Sequence, residues 1–370
     1  VLAALANLSN AFGVQMLVAT LPLYVLSLGG TQTDVGLVTG AIAFTALLFR
    51  PLMGWLTDAW RRRPLVLIGT SCYGFASIVY LLTNTIPFLL FGRVVHGIGL
   101  SCYTTASNAY IADIAPFRRR AEAVGIFAAT QAIGLIVGPV AGYALITRLG
   151  FHPLFYFSAG LAFLAFFISL FARERMQESP VPRQPWSLRT GIVTAEALPM
   201  AWMALCMGLG FGSVSSFIAI FAQRHGFGNP GLYFMMQAIA LLVSRIFLGR
   251  LADRYGRPTV ILPGVILMAL ALGMLPLANT FVLFAVSALL FGLGFGAAQP
   301  ATMAVLIDRV RAEKRGIATS TYYTGFDGGV SIGSILLGAV SQHLGFNFMW
   351  PIAAACTLLG LAGLAGKKKH

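Results

Sequence analysis

The chain has 370 residues, of which 58% are hydrophobic and only 10% are charged, and its mean hydropathy is +0.83. Soluble domains carry about 25% charged residues, so this composition excludes a water-soluble globular protein and indicates a membrane protein. The net charge of +14 does not require a nucleic-acid partner, because basic loops held against anionic inner-leaflet lipid account for it.

Twelve apolar stretches follow one another along the chain, and we predict that each crosses the membrane as a helix. A helix needs about 20 mostly apolar residues to span roughly 30 Å of hydrocarbon. These stretches lack the period-2 alternation of a transmembrane barrel strand, which leaves helices as the spanning structure. The predicted spans are 3–27, 34–57, 65–83, 87–112, 121–146, 153–172, 197–222, 231–252, 259–277, 281–305, 316–341 and 347–366.

Basic residues cluster on every second connection between the predicted spans. Loops rich in lysine and arginine stay cytoplasmic, so we expect a multi-pass protein of the cell membrane with both termini in the cytoplasm. The clusters lie at 61–63, 118–120, 173–189, 250–257, 309–315 and 367–369.

The two halves of the chain repeat at an offset of 195 residues. Arg50, Gly54, Asp58, Gly97, Asp113 and Gly138 recur as Arg245, Gly249, Asp253, Gly292, Asp308 and Gly333. A constant offset over many positions indicates a duplicated half, and in a membrane protein it favours a transporter. We predict a six-helix bundle over 1–172, a cytoplasmic linker over 173–196 and a second six-helix bundle over 197–370 that ends in a short basic tail.

Three motifs resemble those of the major facilitator superfamily, and the resemblance covers essentially the whole chain. The second copy of the repeat matches G-x-L-x-D-R-x-G-R, whereas the first copy has Ala59 and Arg61 at altered positions. Span four is similar to the family's R-x-x-Q-G-x-G motif, with His96 in place of glutamine. Span five resembles the G-x-x-x-G-P-x-x-G signature of the drug:proton antiporters at Gly134, Gly138, Pro139 and Gly142.

The resemblance implies the major facilitator fold: an all-α membrane protein with twelve transmembrane helices in two six-helix bundles related by a pseudo-twofold axis. It also implies a secondary active transporter, a proton-coupled exporter of small amphiphilic or hydrophobic molecules that works by alternating access. The span-five motif would then lie at the interface between the halves, the alternative being an ordinary tight helix crossing.

The repeated motif implies a cytoplasmic gate, in which aspartates pair with loop arginines or a helix N-terminus. The alternative is that these charges only fix topology and helix ends. The gate residues would be Arg50, Gly54, Asp58, Arg62, Asp113, Arg245, Gly249, Asp253, Arg254 and Arg257.

Of the eleven acidic residues, Asp327 alone lies deep in a predicted span. It follows Arg315 by twelve residues, which is about 18 Å along a helix. An ionisable group in a span costs about 2.5–3.5 kcal/mol on insertion scales and usually marks a pathway. We therefore predict that Asp327 carries the transported proton; the alternative is a structural aspartate that caps a broken helix or bonds a neighbouring tyrosine or serine.

Two basic residues of span four lie at comparable depth. Histidine titrates near neutral pH, so His96 is a candidate for proton coupling or cargo contact, with a neutral histidine bonded inside the bundle as the alternative. Arg93 lies one turn closer to the outer edge, and in the family a basic residue there is tied to proton transfer or anion binding.

Neutral polar and aromatic residues at mid-span depth are candidates for a substrate cavity. Span one has no acidic residue, so neutral, zwitterionic or weakly anionic amphiphiles suit the cavity at least as well as cations. The candidates are Asn10, Gln15, Tyr103, Gln131, Phe211, Gln237, Gln299 and Phe326.

Other functions fit the sequence less well. A proton-linked or facilitative importer of a metabolite such as a sugar, and a lipid or lysolipid translocator, remain alternatives. The sequence has no metal cluster, nucleophile–base pair or phosphate loop in the required context, so we expect neither an enzyme nor a cofactor or metal. The expected partners are small-molecule cargo, protons and membrane lipid, with no nucleic acid, and the expected state is a monomer.

Overall fold

The computed structural model describes residues 2–59, 62–115, 119–171, 194–311 and 314–364, and long α-helices dominate that part of the chain. The first six are α1 (Leu2–Ser27), α2 (Gln32–Ala59), α3 (Arg62–Leu82), α4 (Ile86–Ile114), α5 (Arg120–Leu149) and α6 (Phe151–Leu170). The second six are α7 (Leu198–Arg224), α8 (Gly231–Tyr255), α9 (Pro258–Met274), α10 (Phe281–Arg309), α11 (Arg315–Leu344) and α12 (Phe346–Leu359). Each predicted span overlaps one of these helices, so the all-α prediction is confirmed.

The predicted linker lies outside the described residues except for its last three. A short 3-10 helix, Ala195–Ala197, leads directly into α7. The predicted basic tail after Leu364 lies outside the described residues as well. The domain boundaries at 172 and 197 therefore stay a prediction.

One helix of the twelve differs in composition from the others. Eleven are long and apolar enough to cross a membrane by length and composition. Among the described helices α11 alone falls short, because glycine, serine, threonine, tyrosine and Asp327 interrupt its apolar residues. It packs mainly against α7 and α2, so other helices cover much of the surface that lipid would otherwise contact. The protein is a multi-pass membrane protein, and among its described helices α11 is the polar one.

The two halves pack in the same pattern. In the first, α1 contacts α5 and α6, and α4 contacts α2 and α3. In the second, α7 contacts α11 and α12, and α10 contacts α8 and α9. Each pairing recurs six helices later, which is the structural counterpart of the 195-residue offset in the sequence.

The most extensive contacts between the halves are those of α2 with α11 and of α5 with α8, and α7 also contacts α1 and α2. A Cβ atom added to Gly36 would lie 2.2 Å from the carbonyl oxygen of Ser334, and one added to Gly231 would lie 2.5 Å from that of Pro139. Such backbone proximity requires glycine at both positions. Gly231 follows Gly36, and Ser334 follows Pro139, by 195 residues, so these two interfaces are also repeat equivalents.

These glycine contacts lie at one end of the bundle. We call the end with the arginine-rich connections (α2 to α3, α4 to α5, α8 to α9 and α10 to α11) the basic face, and the other end the opposite face. At the opposite face the Gln32 backbone N–H donates to Oε1 of Gln342 at 2.9 Å, and Nδ2 of Asn229 donates to the Val140 carbonyl at 3.1 Å. The two halves are therefore in contact across the opposite face.

Candidate functional site

An ion pair joins the two halves at mid-depth. The Arg50 guanidinium on α2 donates to the Asp327 carboxylate on α11: Nε contacts Oδ2, and Nη2 lies 3.4 Å from Oδ1. The Asp327 side chain is 8% exposed and that of Arg50 is 19% exposed. Neutralising one member of a buried pair leaves the other charge uncompensated. The charge state of Asp327 is thus tied to a contact between the two halves.

Sequence reasoning selected both residues but missed that they meet. Arg50 follows Gly36 by fourteen residues and Asp327 precedes Ser334 by seven, which correspond to about four and two helical turns. Each charged residue therefore shares a helix face with a residue of the Gly36–Ser334 contact. The spacing was visible in the sequence, but the identity of the partner helix was not. The ring of Tyr323 adds to the site, with its centroid 5.4 Å from Arg50 Cζ.

The other two predicted proton-coupling residues lie elsewhere. The Arg93 Nε donates to the Val38 carbonyl on α2 at 2.9 Å, and Nδ1 of His96 is 3.0 Å from the Tyr80 hydroxyl on α3. The Nε2 of His96 is buried without a hydrogen-bond partner among the described residues. The structure brings Asp327 to Arg50 but not to the Arg93–His96 pair, so the predicted residues form two sites.

Three phenylalanines form a cluster in the second half, and two of them were predicted cavity residues. The ring centroids of Phe211 and Phe326 are 5.9 Å apart, and Phe295 lies 5.1 Å from the first and 5.8 Å from the second. Phe295 was missed because nothing in its position along α10 separates it from the chain's 28 phenylalanines. The cluster supplies an apolar surface, and one of its members, Phe326, immediately precedes Asp327 on α11.

The remaining predicted cavity residues differ in their surroundings. The Tyr103 hydroxyl donates to Oδ1 of Asn7 at 2.9 Å, a contact inside the first bundle. Asn10 and Gln237 are buried, and their amide oxygens have no hydrogen-bond partner among the described residues. Gln131 is exposed and Gln15 is half-buried.

Arg245, the repeat partner of Arg50, has a different environment. Its Nη2 lies 3.4 Å from Oε1 of Gln299 on α10. The salt bridges that the described residues form include no acid at Arg245. Gln299 also accepts, at its backbone carbonyl, a hydrogen bond of 3.3 Å from Tyr322. The predicted cavity residue Gln299 and the predicted gate residue Arg245 thus belong to one polar pair.

Two ion pairs near the basic face repeat at the 195-residue offset. Arg62 pairs with Asp113, and Arg257 pairs with Asp308. Each links the start of one helix to the end of another in the same half, α3 to α4 and α9 to α10. These two ion pairs therefore connect helices within each bundle, a role that the gate prediction did not include.

The other gate residues are only partly described. The side chains of Asp58, Gly249 and Asp253 lie outside the described part of the chain, so their role in a gate stays a prediction. A Cβ added to Gly54 would meet nothing within 4 Å, which means that no helix packs closely on it in this arrangement. The Arg254 guanidinium lies 5.4 Å from the ring centroid of its neighbour Tyr255.

The span-five motif needs a correction. A Cβ added to Gly134, Gly138 or Gly142 would clash with α1, at 2.8 Å from Ala11, 2.7 Å from Gln15 and 2.4 Å from Met16 respectively. The three glycines thus form a tight crossing inside the first bundle, because they lie on the α1-facing side of α5. Of the four motif residues, Pro139 lies on another side of α5 and is the one that contacts the second half, at Gly231.

Two repeated bundles of membrane-spanning helices meet at charged side chains. The sequence profile of the Major Facilitator Superfamily matches residues 3–242 and 230–368, and the chain belongs to that family. The family match states what class of protein this is: a membrane transporter rather than an enzyme.

Several curated relatives and solved structures are similar over nearly the whole chain. Multidrug resistance protein MdtG of Escherichia coli is 26% identical, over 91% of this chain and 86% of its own length. Multidrug resistance protein 1 of Bacillus subtilis is 24% identical, over 97% and 93%. The crystal structure of the nucleoside transporter NupG superposes with a TM-score of 0.79 at 16% identity, over 100% of this chain and 98% of that one. The last likeness concerns the fold alone.

Proposed function

We propose that this transporter is a proton-coupled exporter of small amphiphilic or hydrophobic molecules that works by alternating access. The observation that carries the proposal is the Arg50–Asp327 pair, in which a carboxyl group deep in the second half contacts an arginine of the first half. The names of the multidrug resistance relatives support export over import. The cell membrane, with both termini cytoplasmic, is the location that the basic loops favour.

The pair supplies a route for coupling. In the present arrangement the Arg50 guanidinium donates to the Asp327 carboxylate, so the ion pair requires Asp327 to be charged. The proton therefore leaves while the opposite face is closed. When the halves separate at that face, the carboxylate loses its partner and binds a proton from the other side. When the halves close again, Arg50 returns to Asp327 and displaces that proton toward the basic side, so the proton gradient drives the cycle in one direction.

Cargo would move in the opposite direction through the same exchange. Closure of the opposite face leaves the basic face as the side from which cargo enters, and the basic face is cytoplasmic if the loop charges set the topology. The Phe211–Phe295–Phe326 cluster provides an apolar surface for the cargo. Neither Arg93 nor His96 contacts Asp327, so we assign them to the packing of the first bundle and to fine adjustment of the site.

A first prediction concerns the gate motif. If the gate hypothesis holds, Asp253 pairs with the other half only when the basic face is closed, and we expect Asp253→Asn to shift the population toward the state in which that face is open. Spin-label distances across the basic face, measured with and without the substitution, test this. Unchanged distances would mean that the motif only fixes topology.

A second prediction tests the function itself. Purified protein in proteoliposomes with an imposed pH gradient should accumulate hydrophobic dyes against their concentration gradient, and collapse of the gradient should abolish accumulation. A sugar and a lysolipid, assayed in the same vesicles, address the alternative cargoes. Transport that ignores both the pH gradient and the membrane potential would replace the exporter with a facilitator.

A further inference from the structure

Arg245 is a cation within α8 that has no acidic partner among the described residues. It precedes the end of α8 at Tyr255 by ten residues, or about 15 Å along the helix. An arginine stays charged in any protein environment, and a charge at this depth is costly unless it is paired or faces a water-filled cavity. Arg245 is exposed, and the 3.4 Å contact with the neutral Gln299 is the one hydrogen bond that its side chain makes among the described residues.

The repeat identifies what Arg245 lacks. The α5–α8 interface is the equivalent of the α2–α11 interface, with Gly231 against Pro139. Arg245 follows Gly231 by fourteen residues, and Ala132 precedes Pro139 by seven. In the α2–α11 interface the spacings are the same: Arg50 follows Gly36 by fourteen residues, and Asp327 precedes Ser334 by seven. Ala132 is therefore the repeat equivalent of Asp327, and it has on α5 the position that the acidic partner of Arg50 has on α11.

The two arginines consequently have different counter-ions. Arg50 is neutralised by Asp327, whereas the second half retains the cation and has alanine in place of the acid. Loss of the acid with retention of the arginine leaves Arg245 without an acidic partner among the described residues. A bound anion would supply the missing negative charge.

The neighbours of Arg245 indicate what else that anion carries. Gln299, which contacts Arg245, follows Phe295 by four residues on α10 and therefore lies on the same side of that helix. Phe295 packs against Phe211 and Phe326. The Arg245–Gln299 contact thus lies about one helical turn along α10 from a cluster of three aromatic rings, a combination suited to a negatively charged head attached to a flat apolar body.

We infer that Arg245 and Gln299 form the anion-binding part of the cargo site, and that the cargo class is an aromatic or similarly flat amphiphile with one negative group. This rests on the proposed function and makes its cargo specific. The cargo supplies at Arg245 the negative charge that Asp327 supplies at Arg50.

The test uses a matched pair of probes: 2-naphthalenesulfonate, which is anionic, and 2-naphthalenesulfonamide, which has the same rings without the charge. Binding to the full chain is measured calorimetrically in phosphatidylcholine nanodiscs. We expect the wild-type protein to bind the sulfonate at least about tenfold more tightly than the sulfonamide, as for a hydrogen bond to a charged group. Arg245→Gln should remove that preference, and Arg245→Lys should retain part of it.

The sharpest variant is Ala132→Asp, which rebuilds in the second half the pair found in the first. The new carboxylate should occupy Arg245 and lower sulfonate affinity about tenfold or more, while sulfonamide affinity changes less than about threefold. Ala132→Asn is the matched control of nearly equal size and no charge, and it should keep the sulfonate preference. The contrast between these two variants separates charge from bulk.

Several outcomes would overturn the inference: equal binding of the two probes by the wild-type protein, no binding of either, or equal effects of Ala132→Asp and Ala132→Asn. Loss of sulfonate binding in nanodiscs containing phosphatidylglycerol would assign the site to an anionic lipid headgroup instead of cargo. Binding is measured without a proton gradient, so a failure of proton coupling in the transport assay leaves this result unaffected.

Discussion

Replacing Asp327 with asparagine should abolish accumulation driven by a pH gradient while leaving downhill exchange at least partly intact. Asparagine has the shape and polarity of the protonated carboxyl group but has no proton to release. The charged state that pairs with Arg50 is then never reached, and the gradient has no group on which to act. Accumulation and exchange of the same dye, measured in the same proteoliposome preparation, separate coupling from movement.

The substitution also leaves Arg50 without its counter-ion, which costs roughly 3–5 kcal/mol for a fully buried pair and less here because Arg50 is 19% exposed. The double variant Arg50→Gln/Asp327→Asn removes both charges and serves as the control for folding, with coupling still lost. His96→Gln, which restores the residue usual in the family, should have a milder effect. If Asp327→Asn retains full gradient-driven transport, Asp327 does not carry the proton, and Arg93 with His96 becomes the leading candidate.

The helices were predictable because a bilayer imposes a length and an apolar composition on each span. That constraint acts locally along the chain, so it identified even α11, where Asp327 and its polar neighbours reduce the hydrophobic signal. The duplicated halves were predictable for a similar reason, since the offset is a property of the sequence alone. Both features were readable before any tertiary contact was known.

The contacts between helices were not predictable in the same way. Arg50 and Asp327 are separated by 277 residues, and their pairing depends on which helix faces meet. The glycines of span five illustrate the limit: their spacing predicted close packing, which the structure has, but assigned it to the interface between the halves. Gly138 instead contacts α1 of its own bundle, because small residues permit close approach to any neighbour.

A wedge at the opposite face should have a comparably large effect on the conformational equilibrium. In Gly36→Leu the new Cβ would lie 2.2 Å from the backbone carbonyl oxygen of Ser334, which cannot move without shifting α11. Overpacking of this kind costs about 1–3 kcal/mol, and a difference of that size changes the ratio of two states by roughly 5- to 150-fold. We expect the opposite face to open, and we expect the transport rate to fall as the population with that face closed decreases.

Spin labels at Leu82 and Leu277 can measure the opening, because both residues are exposed at the opposite face and they are repeat equivalents in different halves. The labels require replacement of the four native cysteines. The matched control is Gly160→Leu, since a Cβ at Gly160 meets nothing within 4 Å and its distance distribution should equal that of the parent chain. A longer Leu82–Leu277 distance in Gly36→Leu alone would identify the α2–α11 contact as the element that holds this face shut. Identical distributions in both variants would mean that the α5–α8 contact at Gly231 suffices to close it.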